Sequence, residues 1–284
     1  MTEGRYPGTV ELAYSVVGEA SGEPVVLLPG LTATRTSWNA VRNALSRRSR
    51  VYSVDLRGHG ESAHGPADAY VLEQYVADTI AFCRDVVQAP AMVVGHSLGA
   101  VIAFEVARVR PDLARRIVMI DPPLYGDAAG GGGKPRFTPP FRQLRDLLRS
   151  LHAREAGLDE YESVFGSLPL PTGVRPAAEV LDGEGLRELA VAQASLDPEV
   201  LTPAIEGKLF AGGQPDAAID PPLLVLRADP GSGSAIFTEA DSVRLRRNNP
   251  NAAVETMTGS GHAALSDAGS QVSEHLMQFI SGSG

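Results

Sequence analysis

One serine of the sequence stands in a setting that can make it a nucleophile. Ser97 is the centre of the pentapeptide GHSLG at positions 95–99. An apolar stretch at 91–94 precedes it and predicts a buried strand, and an apolar pattern at 100–109 follows it and predicts a helix. Glycines on both sides allow a strand and a helix to approach closely, so the serine hydroxyl projects above the sheet from a sharp turn. The N-terminus of the helix presents backbone N–H groups that stabilise a negative charge.

A serine hydroxyl is a poor nucleophile until a base takes its proton, and histidine has the pKa suited to that task near neutral pH. Of the six histidines in the chain, we favour His262 as the base. It ends the sequence GSGH at 259–262, a glycine turn between the last predicted strand and the final predicted helix. The sequence therefore predicts that Ser97 and His262 meet at one edge of the sheet.

A carboxylate at the same edge would orient the imidazole and stabilise its protonated form. Two aspartates follow predicted strands directly, Asp229 in RADP and Asp121 in DPP. Both give the chain order serine, acid, histidine, so chain order does not choose between them. We favour Asp229 and keep Asp121 as the alternative acid.

Composition and charge restrict the class of protein. The 284 residues carry 25 Lys and Arg against 34 Asp and Glu, a net charge of −9, which argues against nucleic acid as a partner. A hydrophobic content of 43% is enough for a sizeable core, and the single cysteine, Cys83, excludes an internal disulfide. No run of 18 apolar residues and no signal peptide is recognisable, so we expect a cytoplasmic protein with no membrane partner.

Strand and helix patterns alternate along the chain and must position these residues. Because alternating strands and helices are joined by crossovers, the pattern predicts an α/β fold with a mostly parallel sheet and helices on both faces. The predicted strands are 10–17, 25–28, 51–56, 91–94, 117–120, 223–226 and 252–257, and the predicted helices are 38–45, 70–87, 100–109, 239–246 and 266–280.

The alternation is interrupted in the middle of the chain. Residues 123–219 show helical periodicity without a convincing buried strand, for example at 141–151, 186–196 and 198–209. We interpret this segment as a helical cap inserted into a core domain made of residues 1–122 and 220–284. Since parallel sheets bind ligands at the carboxyl ends of their strands, an insertion there is placed to cover a ligand site.

At these points the sequence resembles the α/β-hydrolase superfamily, in particular its serine-dependent branch of esterases and lactonases with a helical cap. Besides GHSLG, the stretch DLRGHGES at 55–62 is similar to the D-x-R-G-x-G-x-S loop of that family. LLPGL at 27–31 stands where the family has a strand followed by His-Gly, with Pro29 in place of the usual histidine. The resemblance implies an α/β-hydrolase fold and an oxyanion hole made by the backbone N–H groups of Leu31 and Leu98.

The activity that the resemblance implies is hydrolysis of a carboxylic ester or lactone through an acyl-enzyme, without a cofactor or a metal. The same residues can also serve a carbon–carbon bond hydrolase, a thioesterase or an acyltransferase, and a ligand-binding protein without turnover is a further alternative. An apolar cap favours a small hydrophobic substrate. We expect a monomer or homodimer. The residues predicted to line the substrate pocket are Gly30, Trp38, Tyr125, Phe137 and Phe141.

Overall fold

A mixed sheet of eight strands organises the chain in the computed structural model, which describes residues 1–125, 138–169 and 175–282. The strands are β1 (Thr2–Pro7), β2 (Glu11–Val17), β3 (Glu23–Leu28), β4 (Ser49–Val54), β5 (Ala91–His96), β6 (Ala114–Ile120), β7 (Leu223–Ala228) and β8 (Ala253–Met257). Their order across the sheet is β1-β2-β4-β3-β5-β6-β7-β8. β2 pairs antiparallel with β1 and β4, and all other pairs are parallel. The predicted, mostly parallel sheet is confirmed.

The central strands form because their apolar side chains are buried on both faces of the sheet. Residues 25–28 of β3 and 91–94 of β5 are at most 1% exposed, as expected for parallel strands covered by helices on both sides. β1 was not predicted. Its residues alternate between exposed and half-buried at the edge of the sheet, so it carries no apolar run that would reveal it.

Helices cover both faces of the sheet. The α-helices are α1 (Asn39–Leu45), α2 (Leu72–Phe82), α3 (Leu98–Val109), α4 (Thr138–Ala153), α5 (Leu158–Ser167), α6 (Gly183–Ala194), α7 (Thr202–Ile205), α8 (Glu239–Asn248), α9 (Ala264–Asp267) and α10 (Gly269–Ser281). On one face, Phe82 of α2 and Phe104 of α3 belong to the larger apolar core. On the other face, Val41 of α1 and Leu276 of α10 belong to a second core cluster. Among the described helices, no segment has the length and apolar character needed to cross a membrane.

Four of these helices, α4 to α7, lie between β6 and β7 in the chain, and we refer to them as the β6–β7 helices. α4 packs against α7, and α5 packs against α6. Leu148 and Leu151 of α4 and Tyr161 of α5 are at most 2% exposed and join the larger core cluster. The β6–β7 helices therefore share one continuous apolar core with the helices and strands on that side of the sheet.

The loop at 55–62 is held by buried ion pairs. Asp55 accepts hydrogen bonds from the backbone N–H of Arg35 (2.7 Å) and pairs with the Arg35 guanidinium. Arg57 forms two hydrogen bonds to the carboxylate of Asp78 on α2, at 2.6 and 2.7 Å. Both carboxylates are largely buried, and each charge has an opposite charge beside it, which is the condition for burying them. This loop is a rigid support for the segment that follows β3.

Candidate active site

Ser97 occupies the sharp turn between β5 and α3. Its backbone has φ 52° and ψ −114°, a left-handed conformation that costs a residue with a side chain about 1–3 kcal/mol. Glycine is required at positions 95 and 99 because the end of β5, the start of α3 and the end of β3 approach one another so closely here. A Cβ on Gly95 would lie 2.0 Å from the Gly99 carbonyl oxygen, and one on Gly99 would lie 2.3 Å from that of Leu28. The turn therefore holds the Ser97 hydroxyl in a fixed, strained position.

His262 lies beside Ser97, although 165 residues separate them in the chain. Its Nε2 is 3.2 Å from Ser97 Oγ, and its Nδ1 is 2.6 Å from Oδ2 of Asp121. Because a carboxylate can only accept, Nδ1 carries the proton and Nε2 is left free to accept the proton of Ser97. The imidazole is thus oriented by the acid toward the serine.

The carboxylate of Asp121 is completely buried at the end of β6. Its oxygens also accept backbone N–H bonds from Ala228 (3.3 Å), Ile236 (3.0 Å) and Phe237 (3.1 Å). Burial alone would raise the pKa of Asp121, but the hydrogen bond and charge of His262 and the two N–H groups at 236 and 237 outweigh it. The pKa of Asp121 is therefore lowered, and the group is an anion at neutral pH.

Asp229, the acid that we favoured from the sequence, does not contact His262 in this way, and that expectation is corrected. Its carboxylate accepts N–H bonds from Gly231 and Gly259, both at 2.8 Å, and so stabilises the loop at the end of β7. These two backbone donors lower the pKa of Asp229 at an exposed site. The same loop continues to Ile236 and Phe237, whose N–H groups reach Asp121. The loop after β7 thus supplies donors to the acid and not the acid itself.

His96, the residue before Ser97, is a second imidazole at the site. Its ring lies 4.9 Å from that of His262, and its Nε2–H donates to the His262 carbonyl oxygen at 2.7 Å. Burial, and next the nearby His262, lower the pKa of His96 to about 4. His96 is therefore neutral at physiological pH and holds the His262 backbone without adding a positive charge.

The loop that follows β3 brings Leu31 to the same place. A Cβ on Gly30 would lie 3.4 Å from the Cβ of Ser97, which shows how closely this loop passes the serine. Leu98 is the first residue of α3, where N–H groups have no partner within the helix. Leu31 and Leu98, whose backbone N–H groups are the predicted pair, both line the cavity that Ser97 lines.

Two buried side chains that sequence reasoning did not single out for the site hold this loop. His59 places Nε2 at 2.7 Å from the Leu31 carbonyl oxygen, and Gln193 of α6 donates from Nε2 to the Thr32 carbonyl oxygen at 3.0 Å. His59 is 0% and Gln193 is 3% exposed. His59 had a signal in the sequence, since it lies in the motif at 55–62. Gln193 had none, because its partner is 161 residues away.

A cavity of about 950 Å³ opens above Ser97 and His262. Of the residues predicted to line it, Gly30, Tyr125 and Phe141 do so. Trp38 does not, and this expectation is corrected: its side chain is fully buried in the core cluster on the α1 and α10 face. Phe137 lies outside the described residues. The aromatic ring at position 38 serves packing, which is the commoner role of such a residue.

The cavity wall has an apolar part and a polar part. The larger apolar side chains are Leu31, Leu98, Tyr125, Phe141, Leu181, Leu189, Leu209, Phe210, Ile236 and Leu265. The polar side chains away from Ser97 and His262 include Thr34, Ser37, Asn39, Asn43, Asp182, Glu184, Glu188, Thr238 and Asp241. No group of three or more His, Cys, Asp or Glu within the described ranges is arranged to hold a metal ion. The site is a pocket for an organic molecule with both apolar and polar parts.

An activated serine, an oriented imidazole and a buried carboxylate at the carboxyl edge of a parallel sheet form an arrangement that can transfer an acyl group. Together with the order of strands and helices, this site defines a hydrolase of the α/β type. A sequence model of the alpha/beta hydrolase family matches residues 25–274, and the chain belongs to that family.

Individual relatives agree with this assignment. The chain is 24% identical over 281 residues to the sn-1-specific diacylglycerol lipase ABHD11 of Mus musculus, covering 95% of this chain and 85% of that protein. The structure of an N-formylmaleamic acid deformylase from Pseudomonas putida S16 superposes with a TM-score of 0.77 at 20% identity, covering 97% and 100% of the two chains. The enol-lactonase from Burkholderia xenovorans LB400 gives a TM-score of 0.76 at 20% identity, covering 98% and 100%. At these identities the two structures support the fold alone.

Proposed function

We propose that this protein is a serine hydrolase that cleaves a carboxylic ester or lactone through an acyl-enzyme, with Ser97 as nucleophile, His262 as base and Asp121 as the acid of the triad. The observation that carries the proposal is the hydrogen-bonded series from Asp121 Oδ2 to His262 Nδ1 (2.6 Å) and from His262 Nε2 to Ser97 Oγ (3.2 Å). The name of one relative, a lipase, agrees with cleavage of acyl–oxygen bonds.

The proposed reaction has two balanced halves. In the first, Ser97 Oγ bonds to the carbonyl carbon while its proton passes to His262 Nε2. The acyl–oxygen bond of the substrate then breaks, and the alcohol leaves with that proton. In the second half, water adds to the acyl-enzyme by the same proton transfers, the carboxylic acid is released, and Ser97 recovers its proton. The backbone N–H groups of Leu31 and Leu98 stabilise the oxyanion in both halves.

We further propose that residues 123–219 act as a cap over a core of residues 1–122 and 220–284. Phe141 of α4 and Leu189 of α6 line the cavity from the side of the β6–β7 helices, whereas Ser97 and His262 line it from the sheet. A substrate in this cavity would therefore be enclosed between the two parts, which excludes bulk water from the reacting carbonyl.

Labelling with a fluorophosphonate probe, followed by intact-mass spectrometry, tests the nucleophile without any choice of substrate. We expect one adduct on the native chain and no adduct on Ser97→Ala or His262→Ala, because the probe reacts only with an activated serine. Ser195→Ala is the matched control and should label like the native chain, since this serine directly follows α6 and its hydroxyl donates to the carbonyl oxygen of Val191. An adduct that persists on Ser97→Ala would contradict the proposal.

Esters and lactones test the substrate class separately. We expect the native chain to hydrolyse para-nitrophenyl esters and small lactones, and the Ser97→Ala variant to show only the background rate. Labelling at Ser97 without cleavage of either class would support Ser97 as the nucleophile and contradict the ester and lactone assignment.

A further inference from the structure

The charged groups of the cavity wall are of one sign. Four carboxylates line it, those of Asp182, Glu184, Glu188 and Asp241. Among the described lining residues there is no lysine or arginine, and the remaining ionisable groups are the imidazoles of the site and the phenol of Tyr125. In a cavity, where the dielectric constant is lower than in water, such an imbalance acts strongly on a charged ligand.

The four carboxylates are not equivalent. Asp241 accepts from the N–H and the hydroxyl of Thr238 at the start of α8, and Asp182 accepts from the N–H of Gly185 at the start of α6. Asp182 and Glu184 are exposed, so water and salt screen their charges. Glu188 and Asp241 are both half-buried, but the Asp241 carboxylate already accepts two hydrogen bonds from Thr238. Glu188 is therefore the carboxylate whose charge a bound molecule experiences most.

The position of the Glu188 carboxylate is fixed. Asn39, at the start of α1, donates from Nδ2 to Glu188 Oε1 at 2.6 Å, which ties α6 to the segment that follows the Leu31 loop. Burial raises the pKa of Glu188, and the charges of Glu184 and Asp182 act in the same direction, whereas the hydrogen bond from Asn39 and the charge of Arg42, which is not part of the cavity wall, act in the opposite direction. A cation beside Glu188 would offset the cost of burying its charge, whereas an anion would add to it.

The apolar side chains that line the cavity come mainly from parts of the chain other than α6. Tyr125 and Phe141 lie after β6, and Leu209 and Phe210 follow α7. A ligand that fits both parts of the wall would carry an apolar portion and, apart from it, a positive charge. The N-formylmaleamic acid deformylase named above acts on an acid, whose charge is of the sign that Glu188 repels.

We propose that the cavity selects esters bearing an ammonium group over esters bearing a carboxylate, and that Glu188 determines this selectivity. The proposal rests on the proposed function for the reaction at Ser97, and it adds the charge class of the substrate. The ammonium group lies against Glu188 while the reacting carbonyl lies at Ser97.

Three para-nitrophenyl esters of matched shape, with acyl chains ending in trimethylammonium, tert-butyl or carboxylate groups, test this selectivity. For the native chain we expect kcat/KM for the ammonium ester to exceed that for the carboxylate ester by about 100-fold, since attraction and repulsion each contribute about ten-fold. In Glu188→Gln, which can still accept the hydrogen bond from Asn39, this ratio should fall about ten-fold, and the other three carboxylates of the wall account for the preference that remains. Glu206→Gln removes the same charge from an exposed residue of the β6–β7 segment outside the cavity wall, and should keep the native ratio.

Equal rates for the charged esters, or a preference for the carboxylate ester, would overturn the proposal. An unchanged ratio in Glu188→Gln would overturn the assignment to that residue. If the tert-butyl ester is not cleaved above the Ser97→Ala background, the proposed function fails instead. Calorimetric titration of the native chain with phenylbutylamine and with phenylbutyrate then measures the charge preference without turnover, and tighter binding of phenylbutyrate would overturn it.

Discussion

β6 and β7 are adjacent parallel strands, and each is followed directly by an aspartate, yet the two aspartates have different surroundings. Asp121 after β6 has φ 40° and a carboxylate with no exposure. Asp229 after β7 has φ −64° and starts a short turn at the surface. The Asp121 carboxylate accepts hydrogen bonds from the His262 imidazole and from three backbone N–H groups. The Asp229 carboxylate accepts from two backbone N–H groups of loops.

The difference teaches that the path of the chain after each strand, rather than residue type or order, selects the acid. After β7, the chain makes a turn that uses the Asp229 carboxylate and then returns so that Ile236 and Phe237 reach Asp121. The loop after β8 brings His262 over the end of β6, and the His262 N–H donates to Ser234 Oγ at 3.1 Å. Asp229, at the end of the neighbouring strand β7, therefore does not lie under the imidazole.

Replacing each of the two aspartates should give the largest difference in catalytic activity between the two strand ends. We expect Asp121→Asn to lower kcat for ester hydrolysis by about 10⁴-fold, because an amide cannot hold the imidazole in the required tautomer. Asp229→Asn should change kcat by less than about three-fold, since Asp229 acts on exposed loop amides only. Steady-state kinetics of both variants measure this, and a larger loss in Asp229→Asn would reverse the assignment of the acid.

Glycine substitutions compare the turn after β5 with the loop after β7. Gly95→Ala places a Cβ against the Gly99 carbonyl, so we expect a loss of about 3 kcal/mol or more in the free energy of unfolding. Gly233 has φ 72° with open space around its Cβ position, so Gly233→Ala should cost only about 1 kcal/mol, for the left-handed backbone. Urea unfolding followed by circular dichroism checks both values, and equal losses would contradict the close packing at 95–99.

Ser234 tests whether the loop after β7 contributes to the site through a residue other than Asp229. Ser234→Ala removes the acceptor of the His262 N–H, a hydrogen bond worth about 1 kcal/mol, so kcat/KM should fall about five-fold. Ser232→Ala is the control, since the Ser232 hydroxyl contacts Ser234 Oγ at 3.2 Å in the same loop and does not bond His262. A loss of equal size in both variants would indicate a general effect on the loop.

The pH dependence of stability should show a smaller effect at both carboxylates. Because the folded-state pKa of Asp121 lies below its unfolded value, its contribution to stability is complete above about pH 4 and is lost as the pH falls below it. The pKa of Asp229 is lowered as well, so we expect the free energy of unfolding to fall less between pH 6 and pH 3 in Asp121→Asn and in Asp229→Asn than in the native chain. Chemical denaturation at several pH values measures the three slopes, and a native slope in Asp121→Asn would contradict the lowered pKa of Asp121.

Much of the sheet was predictable because its central strands are buried on both faces. β3 and β5 consist of continuous apolar runs, and such runs point to parallel strands. β1 at the edge and α5 in the middle of the chain were not predicted, since the polar edge strand lacks an apolar run and α5 spans only ten residues, Leu158–Ser167. Their formation depends on tertiary partners, β2 and α6.

The candidate site was predictable where a local motif carries it. Ser97 and His262 both lie in glycine turns, and the structure brings them within 3.2 Å. The choice between Asp121 and Asp229, the burial of Trp38 and the bond from Gln193 to Thr32 depend on contacts across long stretches of chain. No spacing within the sequence encodes those contacts, so sequence reasoning could list candidates for them and no more.

The order of the site residues along the chain has a consequence for biosynthesis. A ribosome completes Ser97 and Asp121 well before it reaches His262, and β7 and β8 must join the parallel sheet before the imidazole can be delivered. Parallel pairings between distant segments form slowly because the loops between them must first close. Under the proposed function, the nascent polypeptide therefore carries an unactivated alcohol rather than a nucleophile, and reactivity begins only when the late strands have docked.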